Sequence, residues 1–305
     1  MSNQVTQTHR TMYRENVSML LQQKKSKLLQ CCTSQDVSGE MYKVTDQIGH
    51  VAAQRIQTRH GDVKYNNTPH DGRWLAAPLP IYYADLVDKF DKLLSGIELE
   101  GYYAMTAAAT INRGTDDAIL GGVFGTAQTG LKGTVQTVFD TSNVVPVNYD
   151  GTNTNLTVKK IAAAKEILLG NFVDPDEDEL WMPITASQER ALLGELQATS
   201  KDYAGTGAEI RDGKLGKLHG FNFVHIEMSN PLLENAPLTL DGSGYRKVPF
   251  WAKSGMFVGF WEREFASIDQ LPGKHFSSQV YARRQVAATR TEEGKVGYIL
   301  CNEAV

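Results

Sequence analysis

The run Tyr102-Tyr103-Ala104-Met105-Thr106-Ala107-Ala108-Ala109-Thr110-Ile111-Asn112-Arg113 lies inside a stretch, Ile97 to Phe124, that lacks proline and is dense in alanine. Leu99, Tyr102, Tyr103, Thr106, Ala109, Thr110, Ala118, Ile119, Leu120 and Val123 mark one broad helical face. The pattern predicts a helix of roughly 25 residues, about 40 Å long and well above the usual length. Gly101 and Gly114 weaken it locally. The small side chains of Ala107, Ala108 and Ala109 allow close approach to a sheet. The doublet Gly121-Gly122, and then Gly125, are expected to end the helix.

Upstream, the character of the chain is different. From Gly49 to Pro80 apolar residues are sparse, chiefly Val51, Ile56, Val63, Tyr65, Trp74 and Leu75. Gly61-Asp62 and Asn66-Asn67 are turn signals, so this stretch reads as a long polar hairpin or strap. A lone hairpin is marginal in water, and long structureless loops in compact domains usually bind something. The strap is therefore expected to gain its order from another chain. From Thr11 to Leu29, Tyr13, Val17, Leu20, Leu21 and Leu28 share one helical face, with Arg14, Gln22, Lys24 and Lys25 opposite. That stripe must be buried on the chain's own body or on a neighbour. The first 80 residues or so are not expected to build a core of their own.

Downstream, Val135 to Val147 alternates loosely as strands and closes at Asp150-Gly151. Thr157 is placed to cap a helix from Val158 to Leu169. Leu180-Trp181-Met182 reads as a strand, and Thr185-Ala186-Ser187-Gln188 fits a capping box for a helix running to about Gln197. Lys201 to Gly216 reads as a surface loop, and Phe221 to Ile226 and Phe250 to Trp261 as strand runs. Gln279 to Leu300 alternates, turns near Glu293-Gly294 and is expected to form a strand pair.

Length and composition narrow the function classes. The 305 residues, 41% hydrophobic and 22% charged, are those of a globular protein with material for a sizeable core. A net charge of -4 argues against a nucleic-acid binder that works through its whole surface. No apolar run reaches the length of a membrane span, and the first residues carry no signal-peptide pattern. The cysteines Cys31, Cys32 and Cys301 form no disulfide framework, which suits a reducing cytoplasm.

Catalytic signatures are missing. Gly242-Ser243-Gly244 lacks nucleophile-elbow spacing, and zinc patterns are absent. Gly125 to Lys132 fails as a phosphate loop, because Leu131 stands where lysine must reach the phosphates. The acidic run Asp174-Pro175-Asp176-Glu177-Asp178-Glu179 has Glu179 and Thr185 where a calcium loop needs glycine and glutamate, and reads as a solvated loop. His60 and His70, with Asp62 and Asp71, form the best metal-like grouping, yet a surface hydrogen-bonding role fits them better. No catalytic, cofactor or metal residue is assigned.

Several stretches, taken in chain order, resemble one family. They are Tyr13-Arg14-Glu15-Asn16-Val17-Ser18-Met19-Leu20-Leu21, Asp46-Gln47-Ile48-Gly49, Arg59-His60, Asn67-Thr68-Pro69-His70-Asp71, Asp85-Leu86-Val87-Asp88-Lys89 and Asp116-Asp117. The ending Ala288-Thr289-Arg290-Thr291-Glu292-Glu293, with Lys295-Val296 and Cys301, continues the series. Over nearly the whole chain the order and spacing resemble the major capsid proteins of tailed bacteriophages. The resemblance implies an α+β shell fold, the Johnson fold. Its parts would be an N-terminal arm over 1–48, an extended E-loop over 49–80, a peripheral domain with a long spine helix over 81–144 and 266–305, and an axial domain over 145–265. Asp71-Gly72-Arg73-Trp74 departs from the family, where a more basic stretch is expected.

The implied function is self-assembly into hexamers and pentamers of an icosahedral shell around double-stranded DNA. The shell would be made in the bacterial host cytoplasm and would become the virion capsid. Inter-subunit contacts would fall on Tyr13, Val17, Leu20, Leu21, Arg59, His60, Asp62, Lys64, Tyr65, His70, Arg73 and Trp74. The recognisable arm starts near Thr11, so no removable scaffolding segment is expected, and the partners would be a separate scaffolding protein, a portal and a decoration protein. No enzyme activity, cofactor or membrane is implied. The basic residues Arg10, Arg14, Lys24, Lys25 and Lys27 would face the lumen or form a solvated helix side. The alternatives are an encapsulin-like compartment, a metal-dependent hydrolase built on Asp174 to Glu179 or His60 and His70, and a tail or adhesion protein.

Overall fold

The structure is a computed structural model that describes residues 23–56, 59, 62–87, 100–195, 210–211, 214–226, 238 and 240–303. Its architecture is α+β. The long helix α1 spans Glu100–Phe124. It lies across a sheet in the order β1 (Thr33–Asp36), β14 (Met256–Leu271), β15 (Ser277–Arg290) and β4 (Ile81–Val87). The expected helix start at Ile97 falls outside the described residues. Ala107 and Ile111 pack on Val87, Val280 and Ala282 beneath them. Helix α1 ends just before Gly125, as expected, but it runs through the Gly121-Gly122 doublet. A Cβ at Gly122 would meet the Ala288 carbonyl oxygen at 2.5 Å, so this glycine lets the helix rest on β15.

A second sheet holds the larger core. Its order is β11 (Lys217–Leu218), β12 (Phe221–His225), β8 (Leu180–Ile184), β13 (Tyr245–Ala252), β16 (Val296–Asn302) and β7 (Val144–Val145). Helix α2 (Val158–Gly170) covers it through Ile161, Ala164 and Leu168, which meet Phe221, Phe250 and Ile299. The Thr157 side chain accepts the Lys160 amide and starts α2 where the sequence placed it. Helix α3 (Ala186–Leu193) has the expected Thr185/Gln188 capping box but stops at Gly194. A small third sheet joins β2 (Met41–Ile48), β3 (His70–Ala76), β5 (Ala127–Thr129) and β6 (Val135–Thr137), and β9 (Ile210–Arg211) pairs with β10 (Lys214–Leu215).

Two expectations are corrected. The C-terminal strands β15 and β16 alternate as read, but they do not pair with each other. β15 pairs with β14 and β4, whereas β16 pairs with β13 and β7. After β13 the chain changes sheet twice, at Lys253–Gly255 and at Glu293–Lys295. These crossings lie side by side, and the Thr291 amide donates to the Gly255 carbonyl at 2.9 Å. Alternation reveals a strand's faces and not its neighbour, which is why the sequence suggested a local pair.

The N-terminal helix does not extend to Leu29. Its part up to Gln22 lies outside the described residues, and Gln23 to Leu28 is not helical. The cause is Asp116, buried on α1. Its carboxylate accepts the Gln23 amide nitrogen and the Ser26 hydroxyl, each at 2.5 Å, and the backbone amides of Lys27 (3.1 Å) and Leu28 (3.2 Å). Backbone donors that serve a carboxylate are unavailable to a helix ladder. Leu28, Cys31 and Cys32 then enter the core with Ile119, Leu120, Val123, Trp251 and Met256. The early residues thus share the core of the body.

Candidate assembly interface

The strap is the apex of the β2–β3 hairpin. The ladder runs from Met41 opposite Ala76 to Ile48 opposite His70. Beyond it the described residues between 49 and 69 carry no regular secondary structure. The two limbs still face each other. The Gly49 amide donates to the Pro69 carbonyl at 2.8 Å, Asn66 donates to the Ala52 carbonyl at 3.4 Å, and the Gln54 side chain donates to Asn66. Among the described residues, apolar side chains on this apex have no cover. Ile56 and Tyr65 are each 91% exposed, and Val63 is 74% exposed.

The base of the strap is held tightly. Arg73 on β3 is only 5% exposed, and its Nη1 donates to Glu293 Oε1 at 3.0 Å. The other carboxylate oxygen of Glu293 accepts Arg290 Nε at 2.8 Å. Arg290 is fully buried, and its Nη1 donates to the carbonyls of Val123 at 2.6 Å and Gly125 at 2.5 Å. Those oxygens lie at the C-terminal end of α1, where carbonyls lack helical partners and the helix dipole is negative. Phe139 lies 5.3 Å from the guanidinium. One buried Arg–Glu–Arg set therefore joins the strap base, the end of the long helix and the sheet crossing. Gln47 adds a bond to the Thr291 carbonyl at 2.6 Å. Trp74 donates to the Gly130 carbonyl at 2.8 Å, and Asp71 accepts the Gly130 amide at 2.7 Å.

The expected contact residues therefore separate into groups. Tyr13, Val17, Leu20, Leu21 and His60 lie outside the described residues. Arg59, Asp62, Lys64, Tyr65 and His70 are exposed on the strap or at its root. Arg73 and Trp74 are turned inward and bind groups of their own chain. Of the basic arm residues, Lys24 and Lys25 are exposed, whereas Lys27 Nζ donates to the His225 carbonyl at 2.8 Å. Arg10 and Arg14 lie outside the described residues. Asp116, Arg290 and Glu293 carry no individual signal in the sequence that marks their partners. The available signal for Asp116 was a carboxylate beside Ile119, Leu120 and Val123 on the apolar helix face.

The chemistry of the site is that of packing. Among the described residues no group of three or more His, Cys, Asp or Glu side chains is arranged to hold a metal. The acidic loop is tied down within the chain. Asp178 accepts the Ser254 amide and hydroxyl, Asp174 accepts the Asp176 amide at 2.9 Å, and Glu179 pairs with Lys253 at 3.3 Å. Burial pushes the Cys31 and Cys301 thiols up to about 12, far from a reactive thiolate. Buried Lys160 is held by the carbonyls of Thr154, Asn155 and Leu300 at 2.7 to 3.1 Å, and desolvation lowers its pKa. It stitches α2 to β16. No helix of the described residues is long and apolar enough to cross a membrane.

Comparison with known proteins gives a consistent result. The family described as phage capsid protein matches residues 5–303. No curated protein matches the sequence. The fold is similar to the capsid structure of the cyanophage P-SCSP1u, with a TM-score of 0.71 at 10% identity over 99% of this chain and 95% of that one. It is similar to the capsid of cyanophage Pam1, with a TM-score of 0.70 at 12% identity over 98% of both chains. For a chain of Mycobacterium phage Che8 the TM-score is 0.65 at 16% identity, over 97% of this chain and 98% of that one.

Proposed function

The chain belongs to the family of phage capsid proteins, structural components of the virion shell, and from that premise we propose how it assembles. Copies close into hexamers and pentamers of an icosahedral shell around double-stranded DNA. The observation that carries this reading is the strap. Ile56, Val63 and Tyr65 present apolar surface that the described part of their own chain leaves uncovered. Burial of such side chains is worth about 1.5–3 kcal/mol each, and the rigid base supports an apex built to reach a neighbour. Arg59, Asp62, Lys64 and His70 supply the polar rim of that contact. Each contact is modest, and closure multiplies them.

We assign the strap to the E-loop and the N-terminal residues to the arm. The peripheral part is the sheet beneath α1, and the axial part is the six-stranded sheet. We propose boundaries at the turns Lys253–Gly255 and Glu293–Lys295, where the chain passes between these two sheets, with β16 in the axial part. The chain's role is assembly without catalysis. Its partners are a scaffolding protein, a portal and a decoration protein in the host cytoplasm, and DNA held without sequence preference. Negative-stain electron microscopy of the protein, alone and co-expressed with its neighbouring genes, tests the reading. Uniform shells or free hexamers and pentamers are expected. A clean monomer or dimer in both preparations overturns it.

A further inference from the structure

The hairpin of β5 and β6 ends the third sheet with a strand that buries little of itself. Thr134, Val135 and Gln136 are exposed in succession, so both faces of β6 meet solvent. Val135 is 55% exposed, Val138 71%, and Leu131, in the turn of the hairpin, 68%. The run Thr134-Val135-Gln136-Thr137-Val138-Phe139 has no charge, proline or glycine, and most of its residues are β-branched. On a sheet edge such a run is a template for pairing, which soluble chains block with lysine, proline or a covering element. β6 is the last strand of its sheet, and among the described residues no other strand pairs with its outer edge. The strand is nevertheless held in place. The Thr129 and Thr137 hydroxyls lie 2.9 Å apart, Thr129 Oγ1 donates to the Val135 carbonyl at 3.3 Å, and Arg290 donates to the Thr137 carbonyl at 3.4 Å.

The other end of the same sheet is β2, and among the described residues its outer edge is open too. It has eight residues against three in β6, enough to cover that strand and its flanks. Its two charges, Lys43 and Asp46, pair with each other. We propose that β6 of one copy pairs with β2 of the next, so that the sheet runs on from subunit to subunit. A second copy is the occupant that satisfies both open edges of every chain with one kind of contact. The two edges are different surfaces, so the contact is head to tail, the kind that closes rings. Backbone hydrogen bonds supply the pairing, and Val135 and Val138 gain apolar cover. The inference rests on the assembly reading and adds a contact separate from the strap apex.

Two experiments on the full chain test it. Val135→Lys with Val138→Lys puts charge at two exposed positions of the edge. The subunit's melting temperature is expected to hold, while the yield of shells or of hexamers and pentamers falls at least about tenfold. A normal yield overturns the proposal. Pairing itself is read by oxidising the assembled protein with Gln136→Cys combined in turn with Lys43→Cys, Thr45→Cys and Ile48→Cys. The native cysteines are buried and stay silent. Residues opposite each other on paired strands lie within disulfide reach, so at least one combination is expected to give a ladder of covalent dimers, trimers and longer chains. Dimers from Gln136→Cys alone would show β6 pairing with itself, and no cross-link in any combination would leave the edge to another occupant. Both results overturn the proposal, and the cross-links decide if the lysines unfold the subunit. If the unaltered chain forms no shells, hexamers or pentamers, the assembly reading falls and this inference with it; if it assembles without these cross-links, only this inference falls.

Discussion

Glu293 carries more of the fold than its place in a polar turn suggests. It is the only carboxylate that the described residues set between buried Arg73 and fully buried Arg290. Removing its charge strands two cations out of water, a loss that typically costs about 3–5 kcal/mol. Glu293→Gln should therefore lower unfolding stability by about that much in urea, whereas Lys253→Ala, which breaks an exposed pair with Glu179, should cost under about 1 kcal/mol. Equal effects would show that the triad is screened like a surface pair. Asp117 offers a pH test. Burial first, and then the neighbouring Asp116, push its pKa up to about 6, with Arg113 acting in the opposite direction. An unfolded aspartate titrates near about 4, so between these values the folded chain holds a proton that the unfolded chain has released. Stability from this group therefore falls as pH rises from about 4 to about 6 and is level above. Asp117→Asn should remove that slope. Its melting-temperature advantage over the natural chain should widen from about pH 4.5 to about pH 6.5 and then stay constant.

Among the elements, α1 shows how neighbouring glycines serve different ends. A Cβ at Gly121 would meet nothing within 4 Å, whereas at Gly122 it would meet the backbone and side chain of Ala288. Gly121→Ala should therefore stabilise the helix by up to about 1 kcal/mol through propensity alone. Gly122→Ala should force the helix off β15 and destabilise by about 1–3 kcal/mol or more, as overpacking does. Thermal melts of the two variants give opposite signs if the helix rests on Ala288, and the same sign if it does not. The length of α1, its apolar face and its alanine-rich approach were legible in the sequence. Its end before Gly125 was legible too, but the role of Gly122 was not, because glycine reads as a stop signal locally and as a close contact only when the facing strand is known.

For the whole molecule, the strap and the body separate two kinds of stability. The base of the strap belongs to the fold, through Arg73, Trp74 and the β2–β3 ladder, while its apex contributes little to the isolated subunit. Replacing Ile56 and Tyr65 together by aspartate should leave the subunit's melting temperature nearly unchanged, since exposed substitutions shift stability by about 0.5 kcal/mol or less. The same double variant should fail to form shells, as seen by sedimentation and electron microscopy. Normal shells from it would place the subunit contacts elsewhere. A collapse of subunit stability would mean that the apex packs on its own body.

The sequence by itself determined the long helix up to Phe124, the helix after Thr157, the strands around Leu180–Met182 and Phe221–His225, where the caps at Thr157 and Thr185 would fall, and that the region around Ile56 and Tyr65 lacked a core. Those features rest on spacing and on contacts within a few residues. It also carried the family resemblance, through short motifs in a fixed order. Only the tertiary structure decided that β15 and β16 part to different sheets, that Arg73 turns inward to Glu293, and that Asp116 diverts Gln23 to Leu28 from a helix. In each case the deciding partner lies far along the chain: Arg73 and Glu293 are 220 positions apart, and Lys27 and Asp116 are 89 apart. Periodicity records which face of an element is apolar, but the identity of the group that meets a buried charge is set by packing.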